Sequence, residues 1–193
     1  LAFLKYAPDL RYLSVYGGRY SWESLQYLKA GHPLRVLRLQ GVAVNKKQLQ
    51  PIFRGKALEE LQFFGMYVDP EIGSLPPEQK ASLKLLEFNA AAGFKTIDFR
   101  HIQHLTQLKM LYTYASGFTD RELKYLSSLK LLRRLSLGGE SRLIGDNLHY
   151  LEPLTELREL IVWGSRVTDK GIFRLPKLPS LEIVRLAECP ITG

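Results

Sequence analysis

Residues 157–164 read Leu157-Arg158-Glu159-Leu160-Ile161-Val162-Trp163-Gly164, and the same Leu-x-x-Leu-x-apolar phrase opens at Leu10, Leu34, Leu58, Leu83, Leu108, Leu132 and Leu181, 24 or 25 residues apart. The fourth place holds Leu13, Leu37, Leu61, Leu86, Leu111, Leu135, Leu160 and Val184. The sixth holds Val15, Leu39, Phe63, Phe88, Thr113, Leu137, Val162 and Leu186, so that Thr113 alone interrupts the apolar series. A period of this length marks supersecondary units that cannot bury their apolar faces singly and must stack. The chain is one unit written eight times.

Within each phrase the first, fourth and sixth places point inward, and alternation by two sends the third, fifth and seventh outward on a short strand. Parallel strands about 4.8 Å apart then make one sheet. In the return segments apolar residues recur every third place, as in Phe99, Ile102 and Leu105 or Leu123, Leu126 and Leu129, a spacing of one helical turn or slightly less. Ser21, Asn45, Thr119 and Thr168 all stand thirteen places before the next leading leucine and read as helix caps, with Thr119–Glu122 and Asn45–Gln48 as capping boxes. Asp69-Pro70 and Pro76-Pro77 forbid a regular helix over residues 69–82, which predicts an irregular loop there. In the repeats holding residues 90–93 and 138–140, the next apolar residue, Phe94 or Leu143, comes one place late, predicting bulge-like insertions.

The whole chain resembles the leucine-rich repeat superfamily. Thr168-Asp169-Lys170-Gly171-Ile172, the stretch from Leu181 to Thr192, and Thr119-Asp120-Arg121-Glu122-Leu123 resemble its cysteine-containing subclass. The ninth place, where family members carry Asn or Cys, holds Gly18, Val42, Met66, Ala91, Ser116, Glu140 and Ser165 before Cys189, so there is no asparagine ladder and the turns must satisfy their backbone groups otherwise. The resemblance implies an α/β, right-handed solenoid with about eight parallel strands on a concave face, and helices and irregular segments on the convex face. It also implies that the concave face binds other macromolecules. Relatives include substrate receptors of ubiquitin ligases and secreted bacterial effectors, which leaves open a substrate-recognition role for a catalytic or adaptor domain outside residues 1–193. The register places both ends of the chain inside a return segment, so residues 1–193 are expected to be a single domain truncated within a repeat at each end.

The 193 residues carry a formal charge of +8, with 46% hydrophobic and 24% charged residues, an ordinary balance for a soluble domain. No apolar run approaches the ~20 residues that span a bilayer, so membrane insertion is not expected. The basic balance favours an acidic partner. A single cysteine, Cys189, leans weakly toward a reducing compartment such as the cytoplasm or nucleus.

The outward seventh place reads Tyr16, Gln40, Phe64, Asn89, Tyr114, Gly138, Trp163 and Ala187, joined by neighbouring Tyr12, Tyr112 and Ile161. Aromatic side chains on a solvent-facing row mark a contact surface, and Tyr and Trp are enriched among interface anchors. Small residues at the eighth place, such as Gly17, Gly41, Gly139 and Gly164, are expected to leave that row prominent. The second place carries Arg11, Arg35, Glu59, Lys84, Lys109, Arg133, Arg158 and Glu182; Arg133 and Arg158 are candidate rim contacts to a protein or peptide, while the row as a whole is the solvated edge of the sheet. Nucleic acid is disfavoured, because only Arg38 and Arg185 stand among the aromatics. His32, His101, His104 and His149 have no partners at metal-ligand spacing, no phosphate-binding glycine loop is present, and Cys189 reads as a structural thiol. Neither a metal, a cofactor nor an enzymatic activity is expected.

Overall fold

The computed structural model describes residues 1–17, 32–41, 58–64, 77–89, 98–114, 118–139 and 141–192, together with residues 23, 27, 28, 47, 49 and 50; the side chains of residues 77 and 78 are not described. Eight five-residue strands form one open parallel sheet in sequence order: β1 Tyr12–Tyr16, β2 Val36–Gln40, β3 Glu60–Phe64, β4 Leu85–Asn89, β5 Met110–Tyr114, β6 Arg134–Gly138, β7 Glu159–Trp163 and β8 Ile183–Ala187. Each pair is in register with the repeat: Leu13 lies beside Leu37, Leu86 beside Leu111, and Leu160 beside Val184. Stacking puts the first, fourth and sixth places into one continuous core, in which Leu37, Phe63, Phe88, Leu111 and Leu137 are at most 1% exposed. Thr113, the polar interruption, is fully buried, and its hydroxyl donates to the Ser136 carbonyl at 3.3 Å, so burial leaves it satisfied. Val184 departs from the series. It is 44% exposed, with no strand beyond β8 among the described residues.

Among the described residues the return segments hold short helical turns. Phe99–Ile102 and Asp169–Ile172 are α-helical, while Leu123–Leu126 and Leu148–Leu151 are 3-10 turns. Apolar residues every third place fit the 3-10 period of three residues per turn, and Leu123, Leu126 and Leu129 line up on the core at 0% exposure. Glu122 accepts from the Thr119 amide at 2.8 Å and Thr168 accepts from the Gly171 amide at 3.4 Å, as the caps required; the companion sites Ser21, Asn45 and Gln48 lie outside the described residues. One expectation is corrected. Within the stretch 69–82, Pro77–Lys80 forms a helical turn, because proline is tolerated in a first turn where its missing N–H would have no partner; residues 69–76 lie outside the described residues. Past the insertion after Gly139 the repeats are again bonded to one another: the Arg142 amide donates to the Phe118 carbonyl and the Arg166 amide to that of Leu143, and Phe118, Leu143 and Val167 are all buried; residue 140 lies outside the described residues. The matching site at residues 90–94 is not described.

The eighth-place glycines have a backbone reason. Gly17, Gly41, Gly139 and Gly164 have φ between 53° and 73°, the left-handed region that costs glycine nothing. The Gly17, Gly41 and Gly164 amides donate to the Gln40, Phe64 and Ala187 carbonyls of the next repeat at 2.8–3.0 Å. Turn amides are thus bonded without an asparagine ladder. At the ninth place Ser165 accepts from the Val167 amide at 3.3 Å and stands 3.3 Å from Cys189 Sγ. The remaining ninth-place residues, 18, 42, 66, 91, 116 and 140, lie outside the described residues.

Candidate interaction surface

The outward face of the sheet is not uniformly exposed. Trp163 on β7 lies against Gly138 on β6 so closely that a Cβ at Gly138 would stand 3.1 Å from Trp163 Cε3. Tyr114 on β5 meets the indole edge-on, with ring centroids 6.3 Å apart and planes at 72°. Two aromatics on strands about 9.6 Å apart can touch only if the residue between them has no side chain. Gly138 is that residue. Beneath, Ser136 is fully buried with its hydroxyl 3.5 Å from that of Tyr114. Ile161 and Tyr112 are half-buried beside the pair, and Trp163 remains 38% exposed. The result is an aromatic shelf across β5–β7, fixed by packing before any partner arrives.

At the other end of β7, Glu159 is an outward residue only 7% exposed. Its carboxylate is held by Arg134 Nε of β6 at 2.9 Å and by Arg185 of β8, whose side chains are 56% and 57% exposed. A buried carboxylate needs such compensation.

The N-terminal half of the face is polar. Tyr12 is 45% exposed and its hydroxyl accepts from Arg38 at 3.0 Å, the guanidinium lying 5.2 Å from its ring centroid. Gln62 donates to Glu87 at 2.5 Å, and burial pushes the Glu87 carboxyl above its usual range against the opposing effects of Gln62 and Arg38. Tyr16 is 62% exposed and Phe64 half-buried. Six strand spacings separate Tyr16 from Trp163, about 29 Å. Of the seven aromatic and aliphatic candidates, then, Tyr112, Tyr114, Ile161 and Trp163 come together, whereas Tyr12, Tyr16 and Phe64 are scattered over β1–β3.

The basic row is largely paired with acids. Arg35 and Lys84 both contact Glu59, whose carboxyl is held below its usual range by the Lys84 hydrogen bond first and by Arg35. Arg133 lies 3.4 Å from Glu156, and Arg158 lies 3.2 Å from Glu182. Two histidines are engaged structurally: the Leu34 amide donates to His32 Nδ1 at 3.3 Å, so Nε2 carries the proton to the Ala7 carbonyl at 3.1 Å, and the His149 ring lies 4.4 Å from that of Tyr150 with the planes tilted by 35°. Among the described residues no group of three or more His, Cys, Asp or Glu could hold a metal, and no helix is long and apolar enough to cross a membrane. Reading down single rows missed Gly138, Ser136 and the Arg134–Glu159–Arg185 cluster. The signal lay across strands, where a glycine stood between Tyr114 and Trp163 and opposite charges fell on adjacent strands.

No family model matches the chain, and no curated protein matches it. Solved structures do. Internalin C2 of Listeria monocytogenes is 22% identical over 95% of this chain and 74% of its own, with a TM-score of 0.67. The leucine-rich-repeat ectodomain of the Arabidopsis receptor kinase HAESA, in complex with an extended IDA peptide hormone, is 20% identical over 98% of this chain and 32% of its own, with a TM-score of 0.64. A leucine-rich-repeat protein of Leptospira interrogans is 20% identical over 96% of this chain and 48% of its own, with a TM-score of 0.57. The fold is the leucine-rich-repeat solenoid. The chain spans about a third of the HAESA ectodomain and about half of the Leptospira protein.

Proposed function

We propose that this chain is an interaction module that takes a protein or peptide on the outward face of its sheet, with Trp163 and Tyr114 as anchors and Ile161 and Tyr112 beside them. The observation that carries the reading is the packed aromatic shelf: two large, partly exposed rings locked over Gly138 and Ser136. Anchors whose rotamers are already fixed lose little conformational entropy on binding, so more of the contact energy is retained as affinity. The HAESA structure, which shares this fold, holds a peptide hormone, and this supports peptides as the partner class. The test is to map by hydrogen exchange the footprint of binders selected against the whole chain. Protection over β5–β7, lost in the Trp163→Ala variant, is the expected result; a footprint confined to the helical turns on the opposite face overturns the reading.

A further inference from the structure

Resting on that reading of the outward face, we infer that β6–β8 recognise an extended acidic peptide. An Asp or Glu carboxylate is taken up by Arg134 and Arg185, and a bulky apolar side chain four residues away rests on Trp163 and Tyr114.

Charge decides the first half. On β6–β8 Glu156 and Glu182 each accompany one cation of the second-place row, whereas the buried carboxylate of Glu159 holds two arginines, as Glu59 holds Arg35 and Lys84 further along the sheet; the strand that carries Trp163 thus has a local excess of one positive charge at its other end. A guanidinium has five N–H donors, and the contacts to Glu159 use Nε of Arg134 and Nη1 of Arg185. With both side chains more than half exposed, the remaining donors are available to a second carboxylate. Glu159 therefore acts as a positioning residue. It fixes two long side chains that would otherwise have to be ordered on binding.

Strand geometry supplies the spacing. Glu159, Ile161 and Trp163 alternate on the outward face of β7, so the charge site and the aromatic site are about 13 Å apart at 3.3 Å per residue. An extended peptide crosses that distance in four residues, and its residues i, i+2 and i+4 lie on one side. The intermediate side chain meets Ile161, which has Arg185 in register beside it on β8. A peptide with the acid at i and Phe, Leu, Trp or Tyr at i+4, in either direction along β7, satisfies both sites; a spacing of three points one of the two away.

The test uses a random-peptide display library selected on the whole chain, with enriched sequences resynthesised and titrated by fluorescence anisotropy. Enrichment of an acid four residues from a bulky apolar residue is expected, with roughly tenfold weaker binding when that acid becomes its amide or moves one place. Arg134→Gln and Arg185→Gln should each erase the preference for acid over amide and flatten the salt dependence. Because either variant strips compensation from Glu159, the neutral Arg134→Gln/Glu159→Gln/Arg185→Gln variant is the second measurement, expected to bind acid and amide peptides equally. Should Trp163→Ala abolish binding while acid and amide peptides bind alike, the acidic partner is refuted and the contact face stands. Peptides indifferent to Trp163→Ala refute both. An empty selection, or displacement by a single-stranded oligonucleotide and not by acidic peptides, overturns the inference as well.

Discussion

Asp120 Oδ2 accepts the backbone amide of Ile144 at 2.8 Å, one repeat further along the chain. The same carboxylate accepts from the Asn147 amide at 3.2 Å, and Asp169 repeats the arrangement with the Thr192 amide at 3.2 Å. The Thr-Asp phrase thus staples the two turns that carry it to their successors. Asp120 is 8% exposed, so Asp120→Ala leaves two amides with no acceptor and should cost about 2–3 kcal/mol in chemical unfolding. Asp120→Asn keeps one acceptor oxygen and should cost less. Equal losses for the two variants would mean that volume, not hydrogen bonding, is what Asp120 contributes.

Gly138 and Gly139 are adjacent but fail differently. Gly139 has φ +73° and a Cβ there would stand 2.9 Å from the Tyr114 carbonyl carbon, so Gly139→Ala strains backbone against backbone and should destabilise the chain by roughly 1–3 kcal/mol. Gly138 has ordinary φ, and its added Cβ would meet the Trp163 side chain and carbonyl at 3.1–3.3 Å. Gly138→Ala should therefore cost less stability while shifting the Trp163 fluorescence. An unchanged emission spectrum would dissolve the proposed link between Gly138 and the shelf.

Leu111 is fully buried in the shared core, and Leu111→Ala should cost about 2–5 kcal/mol, against a small change for the exposed Gln40→Ala. Gln62 occupies an outward place as Gln40 does, yet it is 7% exposed and bonded to Glu87. Its truncation is expected to fall between the two. An outward position identical in cost to Leu111 would contradict the alternation of the strands.

That contrast shows what was legible in the sequence. Strand number, register, core places and the caps at Thr119 and Thr168 follow from periodicity, because the backbone repeats and burial repeats with it. Exposure on the outward face does not. There each side chain's environment is set by neighbours about one repeat away along the chain: Trp163 covers Gly138, Glu159 is enclosed by Arg134 and Arg185, and Arg133 meets Glu156. Periodicity places such residues on a face without saying which one leans over which.

Burial raises the Glu87 carboxyl above its ordinary value of 4.5. A carboxyl that binds its proton more tightly folded than unfolded contributes stability that is complete below the unfolded value and is lost as pH rises through the folded one. Glu87→Gln keeps the acceptor for Gln62 without the buried charge. Relative to the parent chain the variant should gain stability at about pH 7 and little at about pH 4, as urea midpoints would report. A loss at neutral pH would show that the ionised form is the favoured one, through Arg38.

Trp163 and Tyr114 should separate binding from folding, though not completely. Trp163 is 38% exposed, so most of its surface already packs in the free chain, and the edge-on pair is worth about 0.5–1.5 kcal/mol beyond area. Trp163→Ala and Tyr114→Ala should each lower stability by more than that amount, because buried area is lost as well, and weaken partner binding by at least ~2 kcal/mol. The two losses in binding should sum to more than the double variant shows, since either substitution dismantles one shelf. Arg133→Ala and Arg158→Ala, whose charges are already accompanied by Glu156 and Glu182, should instead slow association slightly and leave dissociation unchanged. A partner whose affinity is indifferent to both aromatic variants but falls with either arginine would move the contact surface from the shelf to the edge of the sheet, and the rings would keep only their part in packing β5–β7.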